Sequence, residues 1–224
     1  MTNFRRLFAA VLFGCSLVAA GCSSTDASSA AIPDPVIDMP SANAGATETA
    51  VFAGGCFWGI EAVFEHIKGV KQATSGYAGG TPDTADYEKV SSGNSNHAES
   101  VQVIYDPAQV SYGQLLKVFF SVAHDPTQLN RQGPDHGPQY RSAIFFANAD
   151  QQRVVQAYIA QLAAARVFSK PVVTQVAPLE AFYAAEDYHQ NYAALHPNDA
   201  YIVIHDAPKV ANLKRHFPEM YVGS

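Results

Sequence analysis

Once its leader is set aside, this chain must fold without a covalent staple. Its cysteines are Cys15, Cys22 and Cys56. The first lies inside an N-terminal apolar run and the second directly after it, so the globular part keeps one thiol and no disulfide framework. A hydrophobic core must supply the stability. The composition, 48% hydrophobic and 15% charged over 224 residues, suits one globular domain of ordinary size. A formal charge of -6 leaves no basic surface for nucleic acid. Cys56 is then either an inert core residue or a chemically active one.

Arg5 and Arg6 precede an apolar run from Leu7 to Ala20, the pattern of a secretory signal. The run is short for a membrane span, which needs about 20 apolar residues. Ala19-Ala20-Gly21-Cys22 resembles a bacterial lipoprotein box, with Ala19 where Leu is usual, and Val18-Ala19-Ala20 also suits ordinary signal cleavage. The expectation is a signal peptide over 1–21 and lipidation of Cys22. The protein is then exported to the periplasmic side of a bacterial membrane and held by its lipid alone, a soluble periplasmic form being the alternative. Residues 22–46, rich in Ser, Ala, Thr and Pro and without aromatic residues, read as a flexible tether. The catalytic domain is expected over 47–224.

Within that domain, Glu48 to Ala53 is a β-rich run and Gly54-Gly55 a turn. Ile60, Val63, Phe64 and Ile67 follow at helical spacing before Gly69. Val70 to Tyr77 reads as a second strand, followed by a long loop to about His97. Val101, Val103 and Tyr105 alternate as a strand, and Ser111 with Gln114 forms a capping-box start for a helix carrying Leu115, Leu116, Phe119 and Phe120. A second long loop runs from Ala123 to Tyr140. Arg141 to Phe146 is a strand, Asn148 with Gln151 opens a helix to about Arg166, and Pro171 to Val176 is a strand. Asp206, with Pro208 as a first helical residue, starts a final helix to Phe217. This order suits an α+β, ferredoxin-like two-layer sandwich with a mainly antiparallel sheet and long functional loops.

The turn Gly54-Gly55 delivers Cys56 to the start of a helix, where unpaired backbone N–H groups and the positive dipole end can stabilise a thiolate. A small buried residue beside Phe57 and Trp58 is the plainer alternative. Four histidines, His97, His124, His136 and His189, lie near acidic residues. None forms a His-x-x-x-His or Cys-x-x-Cys pair, so no metal and no other cofactor is expected.

Five ordered motifs decide the context: Gly55-Cys56-Phe57-Trp58-Gly59, Gly76-Tyr77-Ala78-Gly79-Gly80, Asn96-His97-Ala98-Glu99, His124-Asp125-Pro126-Thr127, and Arg131 through Ser142. Over about Thr47 to Tyr221 the chain resembles the A-type peptide methionine sulfoxide reductases. The resemblance implies reduction of the S epimer of methionine sulfoxide, free or in oxidised proteins, and a ferredoxin-like core. It implies Cys56 as nucleophile, Glu99 as the acid, and Tyr87 and Tyr140 as donors to the sulfoxide oxygen. Phe57 and Trp58 become a seat for the substrate methyl, and Asp135 a water-mediated substrate contact.

Independently of any family, thiol reduction of a sulfoxide needs a nucleophile at sulfur, a proton for the leaving oxygen and an apolar seat. Many relatives resolve the resulting sulfenic acid with a further cysteine in the tail or after a Tyr-x-x-Val motif. Here the stretch Ala207 to Ser224 has none, and Tyr87-Glu88-Lys89-Val90 is followed by Ser91. The reductant is therefore expected to be a small thiol or a thioredoxin-like protein acting on a monomer. Rival readings are a thiol hydrolase using Cys56 with His97 or His189, and a non-catalytic lipoprotein with an aromatic pocket. The B-type reductase is disfavoured by the missing zinc cysteines.

Overall fold

The computed structural model describes residues 1, 32–40 and 45–223. The chain divides into two units, Met1–Ala30 and Ala31–Ser224, and the second holds the sheet and its helices. The expected signal peptide over 1–21 apart from Met1, the expected lipid acceptor Cys22, and tether residues 23–31 and 41–44 lie outside the described residues.

Strand β1 (Glu48–Gly54) is central. It pairs antiparallel with β3 (Ala98–Tyr105) on one side and with β6 (Ser142–Phe146) on the other. Strand β2 (Val70–Ala78) adds to β3, β7 (Gln175–Pro178) lies parallel to β6, and β8 (Phe182–Ala184) closes the far edge. The sheet order is thus β7-β6-β1-β3-β2-β8. Helix α1 (Phe57–Glu65) carries β1 over to β2 with β3 inserted between them. Helix α3 (Tyr112–Val118) likewise carries β3 to β6 around β1. These two split crossovers give the expected α+β, ferredoxin-like layering.

The alternation in β1 explains the layers, because successive side chains point to opposite faces. Ala50 and Phe52 face the main core. There the Phe52 ring stacks on Phe64 of α1 at 4.9 Å and on Phe119, just past α3, at 5.0 Å. Val51 and Ala53 face a smaller cluster with Ala78, Ala98, Ala143 and Phe145. The capping box at Ser111 forms as the sequence indicates, and helix α4 (Ala149–Ala164) starts at Asn148, whose side chain accepts from the Gln151 amide.

Both long loops contain structure that has no apolar periodicity. The first holds a 3-10 turn (Pro82–Thr84) and the single-turn helix α2 (Tyr87–Ser91), capped by Asp86 accepting from the Lys89 amide at 3.0 Å. The second holds the two-residue strands β4 (Arg131–Gln132) and β5 (Asp135–His136) and a 3-10 turn over Pro138–Tyr140. The strand expected over Pro171–Val176 begins later, at Gln175. Proline cannot donate to a ladder, and the Val173 amide is already committed to the Pro126 carbonyl at 2.8 Å. The final helix, α6 (Ala207–His216), follows a π-helical turn over Ile202–Asp206. Asp206 does not cap it, since its side chain bonds no backbone amide there.

The expected tether is corrected over residues 32–40, which dock on the domain. Ile32 is buried in the main core and Met39 packs against it. The Tyr158 hydroxyl donates to the Pro33 carbonyl at 2.8 Å, and Gln161 bonds both the Asp34 carbonyl and the Val36 amide. Asp38 accepts from the Gly113 amide at 2.8 Å and from the Ser111 hydroxyl, so a carboxylate sits on the positive end of α3. A Cβ at position 113 would lie 2.6 Å from that carboxylate, which accounts for the glycine. Docking through carbonyls and one carboxylate needs no hydrophobic periodicity, which is why composition alone reads the segment as loose. Asp38→Ala should lower the unfolding free energy by about 1 kcal/mol in urea titration, the scale of a lost helix cap. An unchanged midpoint would mean that the strap is undocked in solution.

Candidate active site

Strand β1 ends in the Gly54-Gly55 turn. Gly55 has φ +100°, a left-handed conformation that favours glycine, and a Cβ there would lie 2.6 Å from Gln132 of β4. The turn sets Cys56 as the residue preceding the first turn of α1, buried, with its thiol free of disulfide. Directly after it, the Phe57 amide donates to Oε2 of Glu99 at 3.1 Å. Glu99 stands on β3, 2% exposed, so a carboxyl group is buried against the helix N-terminus beside the thiol. Burial is the main cause that pushes Glu99 up to about 8, opposed by the Phe57 amide and aided by the Asp135 and Asp206 charges.

The same burial, followed by the neighbouring Glu99 and then Asp206, raises the Cys56 thiol well above its ordinary range. The stabilisation that a helix N-terminus can give a thiolate is present here as the smaller, lowering effect of the Trp58 amide. The Phe57 amide is committed to Glu99, the Trp58 amide acts on the sulfur and lowers it, and desolvation of the charged form outweighs that help.

Tyr87 on α2 and Tyr140 on the 3-10 turn after β5 both approach this pair. Each hydroxyl is raised by burial first and by Glu99 next, with Cys56 and Asp135 also acting on both. Both phenols therefore remain neutral donors near neutral pH. Asp135 on β5 accepts a hydrogen bond from the Tyr201 hydroxyl. Phe57 is fully buried between Tyr77, at 5.9 Å, and His189, at 5.0 Å, and so underlies the site. Trp58 is partly exposed, stacked on Tyr192 at 3.8 Å and edge-on to Tyr201 at 6.0 Å, with Nε1 donating to Nδ1 of His189 at 3.2 Å. All seven residues expected at the site, Cys56, Phe57, Trp58, Tyr87, Glu99, Asp135 and Tyr140, thus fall in one neighbourhood. The expected acceptor Cys22 is outside the described residues.

Sequence reasoning missed a second set. Glu186 accepts from the Tyr87 amide at 2.9 Å and from the Tyr77 hydroxyl at 2.8 Å, holding α2 against β2. Gln190 bonds both the amide and the carbonyl of Ser75 at 3.0 Å, fixing the segment that carries His189 and Tyr192. Tyr201 and the ion pair between buried Asp206 and half-buried Lys209 complete the wall. Their signal was present only in Asp206 and Pro208, which read as a helix start.

The arrangement can hold a thiol, a protonated carboxyl group and two phenols around one small polar group beside an indole face. Among the described residues it pairs no histidine with the thiol. His97 spends its ring on the Gly80 amide and Thr81 carbonyl, His189 accepts from Trp58, and no hydrogen bond joins Cys56 to a histidine among the described residues. The thiol-hydrolase reading therefore loses its base. No group of three or more His, Cys, Asp or Glu side chains that could hold a metal is found among the described residues.

Burial of Glu99 has a stability consequence. An unfolded glutamate titrates near 4.3, whereas the folded one titrates at about 8. The folded chain binds this proton more tightly, so the contribution is greatest below the unfolded pKa and is lost as pH rises through the folded one. Relative to Glu99→Gln, the wild-type protein should lose about 1 kcal/mol or more between pH 5 and pH 9 in urea unfolding. Parallel pH profiles for the two proteins would contradict a buried, proton-holding Glu99.

The whole of this neighbourhood lies within a span that is similar to known proteins. The family model described as peptide methionine sulfoxide reductase matches residues 48–221. A peptide methionine sulfoxide reductase, MsrA 2, from Synechocystis sp. is 54% identical over 190 residues, covering 84% of this chain and 89% of its own. Among solved structures, reduced Mxr1 from Saccharomyces cerevisiae matches with a TM-score of 0.62 at 31% identity, covering 68% of this chain and 87% of that one. Methionine sulfoxide reductase A of Corynebacterium diphtheriae matches with a TM-score of 0.59 at 39% identity, covering 68% and 76%.

Proposed function

The chain belongs to the A-type peptide methionine sulfoxide reductases, oxidoreductases acting on methionine sulfoxide, and on that premise we propose a single-thiol cycle centred on Cys56. The observation that carries it is the Glu99 carboxyl buried on the Phe57 amide beside that thiol. A substrate sulfoxide enters with its methyl group on Trp58, over the buried Phe57, and its oxygen toward Glu99, Tyr87 and Tyr140. Sulfur of Cys56 attacks sulfoxide sulfur, Glu99 donates its proton to the oxygen, and the phenols donate hydrogen bonds to the developing charge. The Cys56 thiol proton replaces the one Glu99 gave up, and the hydroxyl shifts from the substrate sulfur to Cys56 as the transient sulfur–sulfur bond and the substrate S–O bond break, leaving a Cys56 sulfenic acid and methionine with its sulfur reduced. Asp135, held by Tyr201, orders the polar side of the substrate, which we take to be the S epimer, free or in proteins.

Recycling uses two external thiols. The first forms a mixed disulfide with Cys56 and releases water; the second cleaves it, restoring the Cys56 thiol. A thioredoxin-like protein or a small thiol serves. Because Glu99 must be protonated, the reductive step should slow as pH rises through about 8, and Glu99→Gln should slow it roughly 100-fold or more. Single-turnover mass spectrometry of the mature protein without reductant checks the scheme. One added oxygen, or a dimedone adduct, should map to Cys56; a loss of two hydrogens to a Cys22–Cys56 bridge would refute it.

The location we propose is the periplasmic side of a bacterial membrane, with lipidated Cys22 as the anchor. Wild-type protein should partition with detergent and Cys22→Ala should not. A free amino terminus upstream of Cys22 in the mature wild type would favour simple secretion.

A further inference from the structure

Asp206 is a carboxylate in an unusual position. It is wholly buried and ion-paired through Oδ1 to Nζ of Lys209 at 3.0 Å, while Oδ2 has no hydrogen-bond partner among the described residues. Oδ1 presses on Gly59, the third residue of α1. A Cβ built there would collide with it and would lie 2.6 Å from the Lys209 ammonium and 2.7 Å from the Asp206 Cγ. Glycine at position 59 is thus required by the carboxylate and not by the helix. Cys56 and Gly59 are three residues apart, so they share one side of the first turn. The carboxylate set against that turn acts on the sulfur through space, after Glu99.

We propose that Asp206 is a positioning residue that keeps the Cys56 thiol protonated in the resting enzyme: wedged on Gly59 with Lys209, its carboxylate takes up the N-terminal field of α1 that a thiolate would use. The proposal rests on Cys56 being the nucleophile. Two carboxyl groups now share that helix end, Glu99 on the Phe57 amide and Asp206 on the Gly59 flank. Burial, Glu99 and then Asp206 raise the thiol, while Lys209 lowers it and ranks below Asp206.

The other groups facing the sulfur are Tyr87 on α2, Tyr140 after β5, Tyr192 on α5 (Tyr192–Leu195) and Tyr201, all phenols raised by burial and so uncharged near neutrality. Asp135 stands behind them, hydrogen-bonded to Tyr201.

The consequence concerns peroxide. A thiolate attacks hydrogen peroxide to give a sulfenic acid and hydroxide, and a second peroxide carries the sulfenic acid to sulfinic acid with release of water. Past the leader and Cys22 this chain has no second cysteine to trap a chance sulfenic acid as a disulfide. A neutral resting thiol slows that oxidation when no external thiol is at hand.

The test is the pH dependence of iodoacetamide alkylation of Cys56, followed by intact mass on the mature protein, with no sulfoxide present. Asp206→Asn should lower the alkylation midpoint by about one unit and speed both alkylation and peroxide oxidation about tenfold at pH 7. Gly59→Ala, which keeps the carboxylate but displaces it, should move the midpoint in the same direction. If Asp206→Asn does not fold, because a lone buried ammonium is left behind, the Asp206→Asn/Lys209→Met double variant removes both charges. Its midpoint should still fall, since the carboxylate against the first turn of α1 is gone. Midpoints equal to wild type in folded Asp206 and Gly59 variants would overturn the proposal. A normal midpoint shift in a protein that fails to reduce sulfoxide would instead count against the reductase cycle.

Discussion

The hydrogen bond from the Phe57 amide to the Glu99 carboxyl joins the first turn of α1 to β3, and the rest of the site is arranged around it. A carboxyl group with one amide partner and almost no exposure would be costly as an anion, so the surroundings hold it as an acid. That condition fixes its neighbours. Ionised lysine or arginine close by would pull its proton away, and the ring of phenols and aromatic faces supplies polar contacts without charge. Lys209, the cation at this helix end, is tied to Asp206.

Placing a thiol and an acid together demands a rigid turn, and the second long loop provides it. His124 lies against Gly54, where a Cβ would be 2.9 Å from its ring. Its Nδ1 faces the Phe119 carbonyl at 3.0 Å and its Nε2 the Ser142 hydroxyl at 2.7 Å, which continues to Thr174 at 2.8 Å. Burial drives this imidazole down to about 4, so it is a neutral strut linking the end of α3, β6 and the approach to β7. Arg141 does comparable work on the other side. Its guanidinium donates to the carbonyls of Asn96, His97 and Pro138, which ties the start of β3 to the turn carrying Tyr140. The histidines and arginine of the motifs therefore serve the geometry of the site more than its chemistry.

What was legible in the sequence depends on where periodicity survives. Strands β1, β3 and β6 and helices α1, α3 and α4 bury a regular face, so alternation and capping residues located them. Helix α2 buries only Val90 and gave no periodic signal, although Asp86 is a recognisable cap. The strap over 32–40 is held by carbonyls and Asp38, which composition cannot distinguish from a solvated linker. Cys56, Glu99 and the tyrosines were found through ordered motifs, whereas Glu186, Gln190 and Asp206 act on residues far away in the chain and leave no local pattern. Asp206 in particular mimics a helix start, because Pro208 follows it, while its side chain turns inward.

The position of the tail bears on how the thiol is restored. Lys68 donates to the Met220 carbonyl at 2.7 Å, Val222 donates to the His66 carbonyl at 2.8 Å, and Tyr221 bridges to Ile67 and stacks on His66. The tail is thus fastened at the C-terminal end of α1. A nine-residue helix is roughly 13 Å long, and Cys56 precedes its other end. Any thiol delivered by the last residues would have to break this attachment and pass the wall of Trp58, Tyr192 and Tyr201. The chain carries no cysteine there, and the space beside the first turn is filled by Asp206 and Lys209. The same packing that fixes an ion pair against α1 therefore closes the side of the first turn from which the last residues would have to reach Cys56.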